Sequence, residues 1–587
     1  MKARSKSAYL KSLAVVLTVG LLTSQTLSFA PKDPKKQRLS DEQRIIHVLN
    51  RLGFGARPGD LERVKSIGLE NYINQQLNPE KISDTVAENK LKDLTVLDMS
   101  TVELYAKYPQ PGQLLRQLQQ QGMLSGDLAA DPQNNQPNPQ NEKYRKFLED
   151  YYVKNGLQRP QRIMAELQAS RILRAVYSER QLQEVMVDFW TNHFNVFAGK
   201  GADRWLLPSY DRDTIRPNAM GKFSDLLQAT AQSPAMLFYL DNFQSVSPDA
   251  NRGRGMMRQN QQAQRPRRGI NENYARELME LHTLGVDGGY TQKDVQEVAR
   301  CFTGWTIFQP RGGGAAVNAM TGEMGRRDTG AMGRRDVGAM GRRDAGSFFF
   351  NARVHDDGEK TVLGHKIPSG GGLKDGMMVL DILAHHPSTA KYIATKLVRH
   401  FVSDTPPASL VDRVAAAFTK SDGDIRETLK AIFFSKEFNA PEAYRAKIKR
   451  PFELVVSAIR TVGAETNGGP GTHQWIARMG EPLYGFQTPN GYSDAAESWV
   501  NTGGLLERMN FGLALAGNRV QGTRVDLAKL NVHEKSKLID ESLKLIVAGD
   551  ISPETRETLL KQIDETNADT AAKVVGLILG TPEFQRQ

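Results

Sequence analysis

The sequence predicts a mainly α protein: a multi-helix globular domain with one small β-hairpin and long disordered insertions. Three observations carry this. Apolar residues recur every three or four positions over most of the chain, the period of helices with one buried face. One stretch, "SFFFNARVHDDGEKTVLG", has a strand–turn–strand pattern, while the strand–helix alternation of a Rossmann fold or barrel is absent. Three tracts rich in Gly, Asn, Gln or Arg lack any apolar period from which a core could be built.

Residues 1–30 carry Lys2, Arg4, Lys6 and Lys11, then the apolar run "SLAVVLTVGLL" and a polar end at Ser28-Phe29-Ala30, the layout of a secretory signal peptide. The apolar run is shorter than the roughly 20 residues a spanning helix needs. Export to the periplasm or the exterior is therefore expected, with no integral membrane span once the signal is removed. Cys301 is the only cysteine, so no intramolecular disulfide can form, and its place after Val295, Val298 and Ala299 predicts a buried, inert thiol.

Residues 40–122 form an N-terminal helical unit. Ser40 to Gln43 is a capping box, followed by Ile45, Ile46, Leu49 and Leu52 at helical spacing. Helices around 59–67 and "LENYINQQL" complete the unit, and 123–143 is a linker. The main helical domain spans 144–520. Two helices follow Pro160, the second being "ERQLQEVMVDFWTNHFNVF"; the basic insertion 246–270 precedes a helix, "NENYARELMELHTLG". Thr291 to Asp294 caps the next, which ends at Gly304. The insertion 310–346 repeats an Arg/Gly octapeptide from Met324, Met332 and Met340. In the β candidate, Asp357-Gly358 is the predicted hairpin turn between the aromatic run and "KTVLG". From Leu373 onward the pattern is helical, and 521–587 supplies C-terminal helices.

The net charge of +11 invites a nucleic-acid reading, but the excess lies in residues 1–30, 246–270 and 310–346. A DNA-reading domain carries its basic face on folded structure, so no nucleic-acid partner is expected.

Projected at about 100° per residue, the helix from Asn271 buries Tyr274, Leu278, Leu281 and Leu284. Glu277 falls inside that face, His282 at its margin, and Arg276 and Glu280 outside it. On the helix from Glu179, His193 lies amid Leu182, Val185, Met186, Phe189 and Val196. A histidine there must be neutral and hydrogen-bonded, or paired with a carboxylate. His193 and Glu277 are thus the candidate pair, read either as a structural tie between two helices or as a catalytic or metal-binding pair. His282, His355 and Asp356 are further candidate binding residues. Glu277 and Glu280 lack the Glu-x-x-His spacing of a di-iron bundle, and neither a zinc helix motif, a calcium loop, a G-x-S-x-G elbow nor a P-loop occurs. The cofactor and any metal remain unknown from the sequence.

The ordered stretches "HVLNRLGFGARPGDLERVKSIGLENYINQQL", "VMVDFWTNHFNVF", "SPAMLFYLDN", "NENYARELMELHTLGVDGGYTQKDVQEVARCFTGW", "HDDGEKTVLG", "IATKLVRHFVSD" and "AIFFSKEF" resemble the bacterial DUF1800 family of exported proteins of unknown function. "TPNGYSDAAESWVNTGGLLERMNF" is similar to that family's Pro/Gly/Trp-rich stretch ahead of a helix. The resemblance implies export and a sulfatase-like exported partner, and it supplies no chemistry. Two function classes follow: an envelope binding or scaffold protein, or, as the alternative, a periplasmic or secreted hydrolase, metal-dependent or not, using His193 and Glu277.

Overall fold

Local capping begins the helices where the sequence places them. The Gln43 amide donates to Ser40 Oγ (3.2 Å) and the Ser40 amide to Gln43 Oε1 (3.0 Å), opening the helix Asp41–Arg51. The same reciprocal pair between Thr291 and Asp294 opens Gln292–Cys301. The computed structural model describes residues 38–124, 142–248, 269–308, 346–530, 534–563 and 570–587. The signal segment lies outside these residues, as do nearly all of the linker and of the two insertions.

Within the described residues the protein is mainly α, with only small two-stranded sheets. One apolar core runs from Ile45 to Phe584 and includes the N-terminal and C-terminal helices. A small separate cluster joins Leu114, Leu115 and Leu118 to Tyr144, Leu148 and Tyr152. Cys301 is fully buried, and burial pushes its thiol up to about 12, which keeps it unreactive. No described helix is long and apolar enough to cross a membrane.

The predicted hairpin is rearranged. The aromatic run Phe348–Phe350 pairs antiparallel with Trp305–Ile307 in a two-stranded ribbon. Lys360–Val362 pairs instead with His365–Ile367. The turn between them is Leu363-Gly364, with φ of 49° and 82°, the double left-handed geometry of a tight hairpin. Asp357-Gly358 is not a hairpin turn because Asp356 Oδ1 accepts the Gly358 amide (3.0 Å) and Arg300 holds the same carboxylate from outside.

The helix Gln181–His193 packs on Gln161–Tyr177, meets Pro387–Phe401 where Phe189 touches His400, and bonds Arg450 at the start of Pro451–Thr461 through Asp188. A buried ion network ties these segments. Asp188 bonds Arg171 (2.7 Å) and Arg450; Arg450 bonds Glu481 (2.8 Å); Arg171 also faces Asp211, which Arg216 holds at 2.8 Å. Buried charges persist only when paired this way. At the other end, Thr502–Ala516 crosses Thr570–Leu579 through Gly512 and Gly576.

Candidate ligand-binding cleft

His193 ends its helix fully enclosed. Its Nε2 lies 3.1 Å from the His282 carbonyl, and its Nδ1 is buried with no hydrogen-bond partner among the described residues. Burial holds its pKa well below the ordinary value, reinforced by Lys396 and His282, so the ring is neutral. His282 is equally buried, and burial, with Lys396 adding, pushes it down to about 3. The two rings approach to 6.3 Å between centroids.

The predicted pairing of His193 with Glu277 does not occur. The helix from Glu272 stops at Glu280; the Leu281 and His282 amides both return to the Glu277 carbonyl, and Leu284 returns to Met279. That early stop turns His282 inward, toward His193, and leaves Glu277 half-buried. Burial and the neighbouring Glu280 raise the Glu277 pKa, and Arg276 opposes them. Arg276, Glu277 and Glu280 are all half-buried, so the contrast the helix projection expects is not seen, and Glu280 is the better bonded acid: it accepts the Tyr290 hydroxyl and lies 3.6 Å from Arg276.

His355 and Asp356 belong elsewhere. His355 Nδ1 meets the Thr303 carbonyl at 2.8 Å and Nε2 meets Asp375 Oδ2 at 3.2 Å, so both ring nitrogens are spent. The same Asp375 oxygen takes the fully buried Lys360 ammonium at 2.6 Å. Asp356 is clamped by Arg300 at 2.9 and 3.0 Å; burial raises its pKa, but Arg300 outweighs it and lowers the value. Asp356 therefore holds the β-turn region against the helix Gln292–Cys301, and His355 ties it to Thr303 and to Asp375 on the helix Leu373–Ala384. Among the described residues no group of three or more His, Cys, Asp or Glu is arranged to hold a metal.

His193 lies behind a cleft of about 1080 Å³ that neither it nor His282 lines. Tyr392, whose ring centroid is 6.2 Å from that of His193, forms the dividing wall with Lys396. One side is the helix Pro387–Phe401, which presents Tyr392, Lys396 and Arg399 on one face; the other is the irregular segment 482–499, with Tyr492, Asp494 and Trp499. Lys396 and Arg399 have no hydrogen-bonded or ion-paired carboxylate among the described residues. Burial lowers the Lys396 pKa, Asp494 opposes this, and Arg399 adds to it, so two cations share one wall. Of the three acids lining the cleft, Glu497 is exposed and the two half-buried ones are engaged. Asp404 takes Lys447 and the Ala496 amide (2.9 Å). Asp494 lies 3.6 Å from His400; burial would raise its pKa, but His400, Lys396 and Arg450 hold it well below the carboxylate range.

The irregular segment is pinned from behind. Asn192 Nδ2 donates to the Tyr492 carbonyl (2.8 Å) and the Tyr492 amide to Asn192 Oδ1 (2.7 Å). A Cβ on Gly491, which has φ 70°, would come within 2.6 Å of that oxygen. Asn195 Nδ2 donates to the Phe486 and Thr488 carbonyls, and the Tyr239 hydroxyl to that of Gln487.

Sequence reasoning named His193 and His282 but missed Lys396, Arg399 and the pinned segment. Two signals were available: an i, i+4, i+7 row of Tyr392, Lys396 and Arg399, and a long aperiodic segment with Pro, Gly and Trp inside a helical protein.

No curated protein and no solved structure matches this chain. A family model described as a protein of unknown function matches residues 47–586, nearly the whole length, and the chain therefore belongs to the DUF1800 family.

Proposed function

We propose that the protein is an exported cell-envelope binding protein whose cleft takes an acidic saccharide, sulfated or carboxylated. The observation that carries this reading is the pair Lys396 and Arg399, two cations on one wall to which no carboxylate among the described residues is bonded. An anionic group entering there would bond two cations that face Asp494 only at longer range, in a partly desolvated setting where a charge-assisted bond contributes about 1.5–3 kcal/mol. Tyr392, Tyr492 and Trp499 offer flat faces for ring C–H groups, and Gln487 and Asn490 offer amides for hydroxyls. A sulfatase-like exported partner, which the family resemblance implies, would act on ligands of the same charge. The hydrolase alternative would have to use His193 and Glu277 without a direct bond between them, since His193 Nε2 meets the His282 carbonyl at 3.1 Å instead.

Titration calorimetry with sulfated and neutral oligosaccharides of equal length tests the proposal. Binding of the sulfated form alone is expected, weakened roughly tenfold or more by Lys396→Ala or Arg399→Ala. Equal binding of the neutral form, or indifference to both substitutions, would overturn it.

A further inference from the structure

A second cavity, of about 1070 Å³, lies between the helices Asp41–Arg51 and Lys535–Val547 and the C-terminal segment. Its apolar lining includes Ile46, Leu61, Leu545, Val547 and Phe584. Lys449 reaches this lining from the core. Its Nζ has one hydrogen bond, to Ser457 Oγ at 2.9 Å, and lies 4.1 Å from the Phe584 ring centroid. No carboxylate among the described residues forms an ion pair with it, although the residue is only 3% exposed. The neighbouring lysines are used differently: Lys447 is bonded to Asp404, and Lys65, on the same cavity, to Glu42.

An ammonium without a counter-ion is disfavoured in such a place. Burial pushes Lys449 down to about 7, Arg445 adds to the shift, and Glu453 opposes it. Glu583 and Arg586 face the cavity from the C-terminal segment, and Glu541 and Lys544 from the helix Lys535–Val547. A large fraction of the amine is therefore unprotonated at neutral pH, the state in which a lysine is a nucleophile.

We propose that Lys449 is a nucleophilic amine and that this cavity captures aldehydes or ketones with an apolar body as imines. The Nζ lone pair attacks the carbonyl carbon while the C=O π pair moves to oxygen. A proton passes from nitrogen to that oxygen, for which the Ser457 hydroxyl is a suitably placed carrier. The nitrogen lone pair then forms C=N as the C–O bond breaks, the departing hydroxide takes the second nitrogen proton, and water leaves a neutral imine. The site is separate from the Lys396 cleft and does not depend on the reading of that cleft.

Reductive trapping of the unaltered protein tests this. The protein is treated with benzaldehyde and cyanoborohydride from pH 6 to 9, and benzylated lysines are mapped by peptide mass. At pH 7.5 Lys449 is expected to be labelled roughly tenfold or more faster than Lys65, with its rate rising to half its plateau near pH 7. Lys449 left unlabelled, labelled no faster than Lys65, or labelled with a half-rate pH in the ordinary lysine range would overturn the proposal.

Discussion

Glu277 and Glu280 lie one turn apart on the same helix, yet they sit in opposite electrostatic situations. Glu277 is half-buried, no cation is bonded to it among the described residues, and its pKa is raised by burial first and by Glu280 second. A carboxyl whose folded pKa is raised stabilises the fold only while it is neutral, so at pH 7 its charge works against folding. Glu277→Gln is accordingly expected to leave the melting temperature unchanged or raise it. Glu280→Ala, which strands the Tyr290 hydroxyl, is expected to cost roughly 1 kcal/mol. Thermal melts of both variants check this, and a larger loss at Glu277 would contradict it. The buried positions of Tyr274, Leu278 and His193 were legible, because a single helix face decides them. The direction of His282 was not. Four residues of altered backbone at the helix end set it, and no apolar period reports where a helix chooses to stop.

At the scale of elements, the crossing of Thr502–Ala516 with Thr570–Leu579 rests on two absent side chains. A Cβ on Gly576 would lie 2.9 Å from Leu513 Cα, and one on Gly512 would lie 2.7 Å from the Gly576 carbonyl oxygen. Backbone cannot rotate away as a side chain can. Gly576→Ala is therefore expected to destabilise by about 1–3 kcal/mol despite a helix-propensity gain of about 1 kcal/mol. Gly503→Ala, which has room, is the control and is expected to lose nothing. Denaturation midpoints of the two variants measure the difference. The start of each capped helix was legible, since a capping box involves only four residues. The partner of the aromatic strand was not, because Trp305–Ile307 lies across residues 309–345 and pairing over such a distance leaves no local mark.

Across the whole molecule, several histidines are held neutral by burial: His47 and His282 at about 3 and His473 at about 4. Their unfolded counterparts take up protons near pH 6.5. Between that value and the folded pKa the unfolded chain binds more protons, so stability is present above pH 6.5 and is lost as pH falls. Each group contributes up to about 1.4 kcal/mol per pH unit. Asp188 and Asp211, whose pKa values burial raises but arginines pull lower still, act in the same direction in more acid solution. Melting temperatures are expected to fall steadily from pH 7 to 4.5, with His473→Gln flattening the slope by about one proton; a flat or rising profile would contradict the assignment. The cleft itself was not legible at this scale, because its walls lie about a hundred residues apart in the chain and meet only through the core. Its irregular wall is fixed from behind by Asn192, Asn195 and Tyr239. A guest entering the cleft therefore meets a surface whose conformational entropy was surrendered at folding, and the ordering cost that a loose loop would charge against each binding event has already been met.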